Sequence, residues 1–176
     1  METNTKKDDN LKKASSIQYS GKVTITVKRG NKIISRKTSS NNGTSLLFKT
    51  LCRCLCKDED AINLMPFYID VGEQTPEGFQ TGLVTPCAIT KRVTLQLPTT
   101  DTFVAQFVAT LLYSQLLDSS KPLKTTALKN IDGDILATMT MENGISIENS
   151  KYTVLLEWEM SFSNSTNNTI EQEVNS

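Results

Sequence analysis

The sharpest pattern in the chain is "YTVLLEWEMSFSN", residues 152–164, in which Val154, Leu156, Trp158, Met160 and Phe162 alternate with Glu157, Glu159 and Ser161. A two-residue period predicts a long antiparallel strand with one face buried and the other in water. A slip of one residue would expose the tryptophan with its apolar neighbours and submerge two glutamates, so register is strongly specified. The same alternation runs through "GKVTITVKRGNKIISRKT", residues 21–38, where Val23, Ile25 and Val27 stand against Thr24 and Thr26. Gly30-Asn31 then turns the chain toward Ile33, which predicts a hairpin.

Other segments read less cleanly. "PFYIDVG", residues 66–72, predicts a short buried strand ended by Gly72, and "EQTPEGFQTGLVTP", residues 73–86, a long exposed loop of the length that often carries function. Three more strands are predicted at Ile89–Leu97, with Val93, Leu95 and Leu97 on one face, at Thr102–Ser114, and at Ile135–Met141. The second is apolar on both faces, Phe103, Phe107 and Leu111 against Val104, Val108 and Leu112, as in a central strand. "ENG", residues 142–144, reads as a turn before Ile145 and Ile147.

One segment has helical spacing. After the turn cluster "SSNNGT", Thr44 is placed to cap a helix whose Leu47, Leu51, Cys54 and Leu55 fall at i, i+4, i+7 and i+8. The alternating Cys52, Cys54 and Cys56 therefore do not form a metal cluster, because a helix turns Cys54 roughly 200° away from the other two and structural zinc takes four ligands. They are expected to pack as small apolar groups under a sheet. A strand over "CRCLC" would align all three sulfurs, but the leucine spacing favours the helix.

These elements predict a mainly β chain: seven or eight strands in an antiparallel β-sandwich, Ig-like or jelly-roll-like, with one short α-helix near residues 44–57 and no βαβ alternation. The expected organisation is a polar N-terminal arm over residues 1–18, one sandwich domain over 19–164 and a polar tail over 165–176. With 38% hydrophobic and 22% charged residues, the composition is that of a globular protein and not of a strongly charged disordered one. No apolar run approaches the ~18 residues that span a bilayer, the N-terminus lacks a signal-peptide core, and no membrane partner is expected. The sequons at Asn42, Asn164 and Asn167 accordingly read as polar loop and tail residues.

Chemistry has few footholds. The chain has no His, the commonest general base and metal ligand. Glu157 and Glu159 form a carboxylate pair, yet they occupy the solvent side of an amphipathic strand; Asp58-Glu59-Asp60 and Asp132-Gly133-Asp134 lack the ligand spacing of a calcium loop. No catalytic residue, cofactor or metal is assigned, and the expectation is a protein that is not an enzyme.

Charge is more informative. From Lys22 to Lys57 there are nine basic residues and no acid, while the rest of the chain holds all nineteen acids. The candidate partner interface is Lys28, Arg29, Lys32, Arg36 and Lys37. Such asymmetry suits an acidic partner protein or self-association with the acidic part of another copy. Nucleic acid is disfavoured because no aromatic platform is interleaved with the charges and net charge is zero. A plain alternative is that lysines simply guard an edge strand from unwanted pairing.

Together, "GKVTITVKRGNKIISRKT", "NNGTSLLFKTLCRCLC", "PFYIDVG" and "YTVLLEWEMSFSN" resemble small virion structural proteins of tailed bacteriophages, most of all the capsid and tail proteins of crAss-like podoviruses, over roughly residues 20–164. The resemblance implies a building block of the virion, made in the bacterial host cytoplasm. An auxiliary capsid protein that decorates or cements the shell is favoured, in contact with the major capsid protein or other virion proteins. A tail-ring or head-fibre component is the alternative within that family. A receptor- or carbohydrate-binding module using residues 73–86 is the alternative outside it, with Phe79 as the only aromatic in that segment.

Overall fold

Strands dominate the computed structural model, which describes residues 15–75, 77–96 and 102–166. In chain order they are β1 (Ser15–Arg29), β2 (Lys32–Ser40) and β3 (Asn42–Gly43), then helix α1 (Ser45–Leu55) and a 3-10 turn at Glu59–Leu64. There follow β4 (Tyr68–Thr75), β5 (Gly78–Thr81), β6 (Cys87–Ala88), β7 (Lys91–Gln96), β8 (Thr102–Leu112), β9 (Leu123–Lys129), β10 (Ile135–Ile145) and β11 (Tyr152–Thr166). They form two antiparallel sheets, one ordered β2-β1-β11-β8-β7 and the other β3-β10-β9-β4-β5 with β6 also on β4.

The first and last strands meet in the middle of the first sheet. Val23 lies opposite Trp158, Ile25 opposite Leu156 and Val27 opposite Val154, so the two alternations coincide on one face. That face closes on Ile69, Val71, Leu128, Ala137 and Met139 of the second sheet, forming one buried cluster. Trp158 is fully buried there, worth on the order of 2–3 kcal/mol of transfer free energy. The predicted sandwich, the Gly30-Asn31 hairpin and the register of the C-terminal strand all stand.

Between the sheets the chain passes through Asn41, which is buried. Its backbone N–H donates to the Gly21 carbonyl (3.0 Å), its Nδ2 donates to the Glu159 carbonyl (3.1 Å), and its Oδ1 accepts from the Tyr19 hydroxyl. A Cβ on Gly21 would run into this side chain, so the glycine is there to let Asn41 lie on β1. Thr44 then caps α1: its Oγ1 accepts from the Leu47 N–H at 3.3 Å and donates toward the Leu136 carbonyl at 2.9 Å, tying the helix start to β10.

Several expectations change. Gly72 does not end its strand; β4 continues to Thr75, and β5 approaches so closely that a Cβ at Gly72 would meet the Gln80 carbonyl. The expected loop at 73–86 is therefore partly a hairpin, and beyond it Leu83 and Val84 are buried. "ENG" is not a turn but part of β10, where pairing with β9 shifts between Thr140 and Ile145. In the first sheet β8 lies between β11 and β7, an interior strand as expected, but it is not buried along its whole length: Phe103 and Leu112 are about half exposed, at 49% and 50%. On β7, Leu95 is exposed and Val93 half-buried on the outer face, and Leu97 lies outside the described residues.

The ends of the strands differ as well. Residues 15–18 and 165–166, read as arm and tail, are paired strand in β1 and β11. The helix is where expected, but it buries only Leu47 and Thr50, leaving Leu55 81% exposed. Cys52 and Cys56 are exposed and Cys54 is half-buried, so the three are not packed beneath a sheet. Because α1 sits at the sheet edge, only its first two turns face the core.

Candidate functional site

The basic segment folds into the β1–β2 hairpin and α1, and the structure divides its charges. Lys22 is bound to Glu159 at 2.9 Å and Arg53 to Asp58 at 2.6 Å. The Arg53 hydrogen bond holds the Asp58 carboxyl below its usual range, while the same contact raises the guanidinium. Neither cation is available to a partner without breaking a local pair.

The five predicted interface residues are not one patch. Lys37 lies opposite Ile25 and so points toward the second sheet, where its Nζ donates to the carbonyls of Asn143 (3.0 Å) and Gly144 (2.9 Å). It fastens β2 to the stretch of β10 between Thr140 and Ile145 that does not pair with β9, beside a groove of about 370 Å3 lined by Thr38, Ser39, Met141 and Glu142. Lys28 and Arg36 belong to the opposite, outward face, since Arg36 stands opposite Thr26. Arg29 and Lys32 face each other directly at the hairpin end, a like-charge pair that costs stability. Among the described residues none of Lys28, Arg29, Lys32 and Arg36 forms an ion pair. Ile33 and Ile34 are exposed between them, at 52% and 43%, next to the bulge that skips Ile34. Among the described residues β2 pairs with β1 on one side and carries no strand on its other edge.

A second charged site was missed by sequence reasoning. Asp70, fully buried, accepts from Lys129 Nζ at 2.7 Å, and the Phe79 ring centroid lies 5.3 Å from that ammonium. The other carboxylate oxygen accepts the Val71 N–H at 2.8 Å. The available signal was an aspartate inside the apolar run "PFYIDVG". Phe79, the one aromatic of the 73–86 segment, is half-buried with its ring against this ammonium. The nearby cleft of about 390 Å3 is lined by polar groups including Glu73, Gln74, Lys121 and Lys124, and Lys121 is bound to Glu73 at 2.6 Å.

Glu159, half-buried, is held by Lys22 and Gln106, and Glu157 lies on the same outer face. Burial, with the Asp70 charge second, pushes the Cys87 thiol up to about 11. Asp134 closes the β9–β10 connection by accepting from Asn130 Nδ2 (3.1 Å) and donating its N–H to Asn130 Oδ1 (2.8 Å). Among the described residues no group of three or more His, Cys, Asp or Glu is placed to hold a metal ion, and no helix is long and apolar enough to cross a membrane. No protein-family model, curated protein or solved structure matches this chain.

Proposed function

We propose that this chain is a structural component of a bacteriophage virion, an auxiliary protein that decorates or cements the capsid shell through protein–protein contacts and not through catalysis. The observation that carries the reading is the edge of the β1–β2 hairpin, which among the described residues carries no further strand and whose Lys28, Arg29, Lys32 and Arg36 pair with no described carboxylate. Edge guarding alone accounts for scattered lysines, but it does not require Arg29 directly opposite Lys32, an arrangement whose cost is offset when an acidic surface arrives. The resemblance of the hairpin, helix entry and C-terminal strand to small phage virion proteins supplies the setting. The partner is then the major capsid protein or a neighbouring virion protein with an acidic face.

Quantitative mass spectrometry and cryo-electron microscopy of purified particles test this. The expected result is the protein on the shell at a copy number commensurate with the major capsid protein, as closed symmetry demands. Its presence only at the tail would move the assignment to a tail-ring or head-fibre part; its absence from particles would end the virion reading.

A further inference from the structure

We infer that two copies of the chain associate through α1, laid antiparallel about a two-fold axis that passes beside Cys52. This contact is separate from the hairpin edge that carries the virion reading.

Helix α1 is apolar on two sides. One side, with Leu47 and Thr50, is buried against the sheets. The other carries Phe48, Cys52, Leu55 and Cys56, spaced i, i+4, i+7 and i+8, which is the stripe by which a helix meets a partner. Phe48 is 42% exposed and Leu55 81%, and both cysteines are exposed. One leucine in water is ordinary, but a continuous stripe of roughly two turns marks a contact surface.

A second copy is the occupant that the stripe itself selects. Its side chains run large, small, large: Phe48, Cys52, Leu55. A two-fold axis beside Cys52 sets the two small thiols where the helix axes come closest and brings Phe48 of each copy against Leu55 of the other. Charge fixes the direction. Lys49, in the first half of α1, and Glu59, just past its end, are both exposed, and among the described residues neither forms an ion pair. The first turn of α1 also contains no acid. An antiparallel neighbour places its Glu59 about one turn (~6 Å) from Lys49, within reach of a lysine side chain and near the positive end of the helix dipole. A parallel neighbour would set Lys49 against Lys49 and Glu59 against Glu59, which repel. A stripe this short falls below the ~1,200 Å2 of a stable interface, so the dimer is weak and exchanges with monomer.

Sedimentation velocity of the full chain up to about 1 mM is the test, with a reversible monomer–dimer equilibrium expected. Leu55→Lys should weaken association by roughly tenfold or more and, because Leu55 is exposed, leave the unfolding midpoint where it was. Lys49→Glu and Glu59→Lys should each weaken it, and the two together should restore it. With Cys54→Ser and Cys56→Ser in place, mild oxidation should join copies through Cys52, since thiols at the crossing lie within the ~4.4–6.8 Å Cα separation of a disulfide. With Cys52→Ser and Cys54→Ser instead, Cys56 faces Phe48 of the other copy and should cross-link far more slowly. A chain that is monomeric throughout, an association that Leu55→Lys leaves intact, or cross-linking as fast through Cys56 as through Cys52 would each overturn the inference. None of these readouts depends on what purified particles contain.

Discussion

Asn41 and Asp70 hold the sandwich together at points where a polar side chain is buried with its partners supplied. Replacing Asn41 with alanine leaves the Glu159 carbonyl and the Tyr19 hydroxyl without this partner in a part-buried setting, at a cost of about 1–3 kcal/mol, read as a lower urea midpoint. Asp70→Asn leaves the Lys129 ammonium buried without its counter-charge, and the loss should be larger, about 3–5 kcal/mol in equilibrium unfolding. Asp70→Leu with Lys129→Met should recover most of it, because removing both charges also removes the desolvation cost. The thiols give a separate check. At pH 8 in the native state Cys52 and Cys56 should react with a soluble disulfide reagent, Cys54 more slowly and Cys87 only on unfolding. Because folding raises the Cys87 thiol from 9.0 to about 11, the folded chain keeps this proton when the unfolded one loses it. Its contribution to stability is complete below about pH 9 and is lost as pH climbs toward 11. Unfolding curves across that window should show the decline, smaller in Cys87→Ala.

Helix α1 illustrates how far spacing carries and where it stops. Capping by Thr44 and the position of the helix were legible, because both follow from local chemistry within one turn. Which side would be buried was not, since Leu55 and the cysteines fit an apolar stripe as well as Leu47 does, and only the placement at a sheet edge leaves the last turn in solvent. The helix ends with Lys57 at φ 57°, while Asp58 N–H bonds the Arg53 carbonyl and Lys57 N–H the Cys54 carbonyl, both at 3.1 Å. This closing motif favours glycine at the left-handed position. Lys57→Gly should therefore raise stability, by about 0.5–1 kcal/mol in thermal or urea unfolding. Strand β11 is the opposite case: its alternation specified register, and the structure places Val154, Leu156, Trp158 and Met160 in the core as read.

Over the whole molecule, charge that is separated in sequence becomes partly neutralised in space. Lys22 finds Glu159, Arg53 finds Asp58, and Lys37 is used on backbone carbonyls, so among the described residues four of the five predicted interface cations form no ion pair and the fifth serves the fold. Stability and partner contact should then separate in one substitution. Lys32→Glu turns the like-charge pair with Arg29 into an attractive one and should leave the melting temperature unchanged or slightly higher, by a few tenths of a kcal/mol. The same change should weaken binding to any acidic partner, as measured by titration against it.

From its sequence alone the chain determined the strands whose faces differ in polarity, the hairpin turn at Gly30-Asn31 and the start of α1, because each depends on neighbours within a few residues. Only the tertiary structure decided that the two terminal strands pair in the centre of a sheet, that Asp70 meets Lys129, and that Lys37 turns inward while Arg36 stays out. Those outcomes depend on groups far apart in the chain, brought together by burial of a shared apolar face, which is non-directional and leaves no local signature.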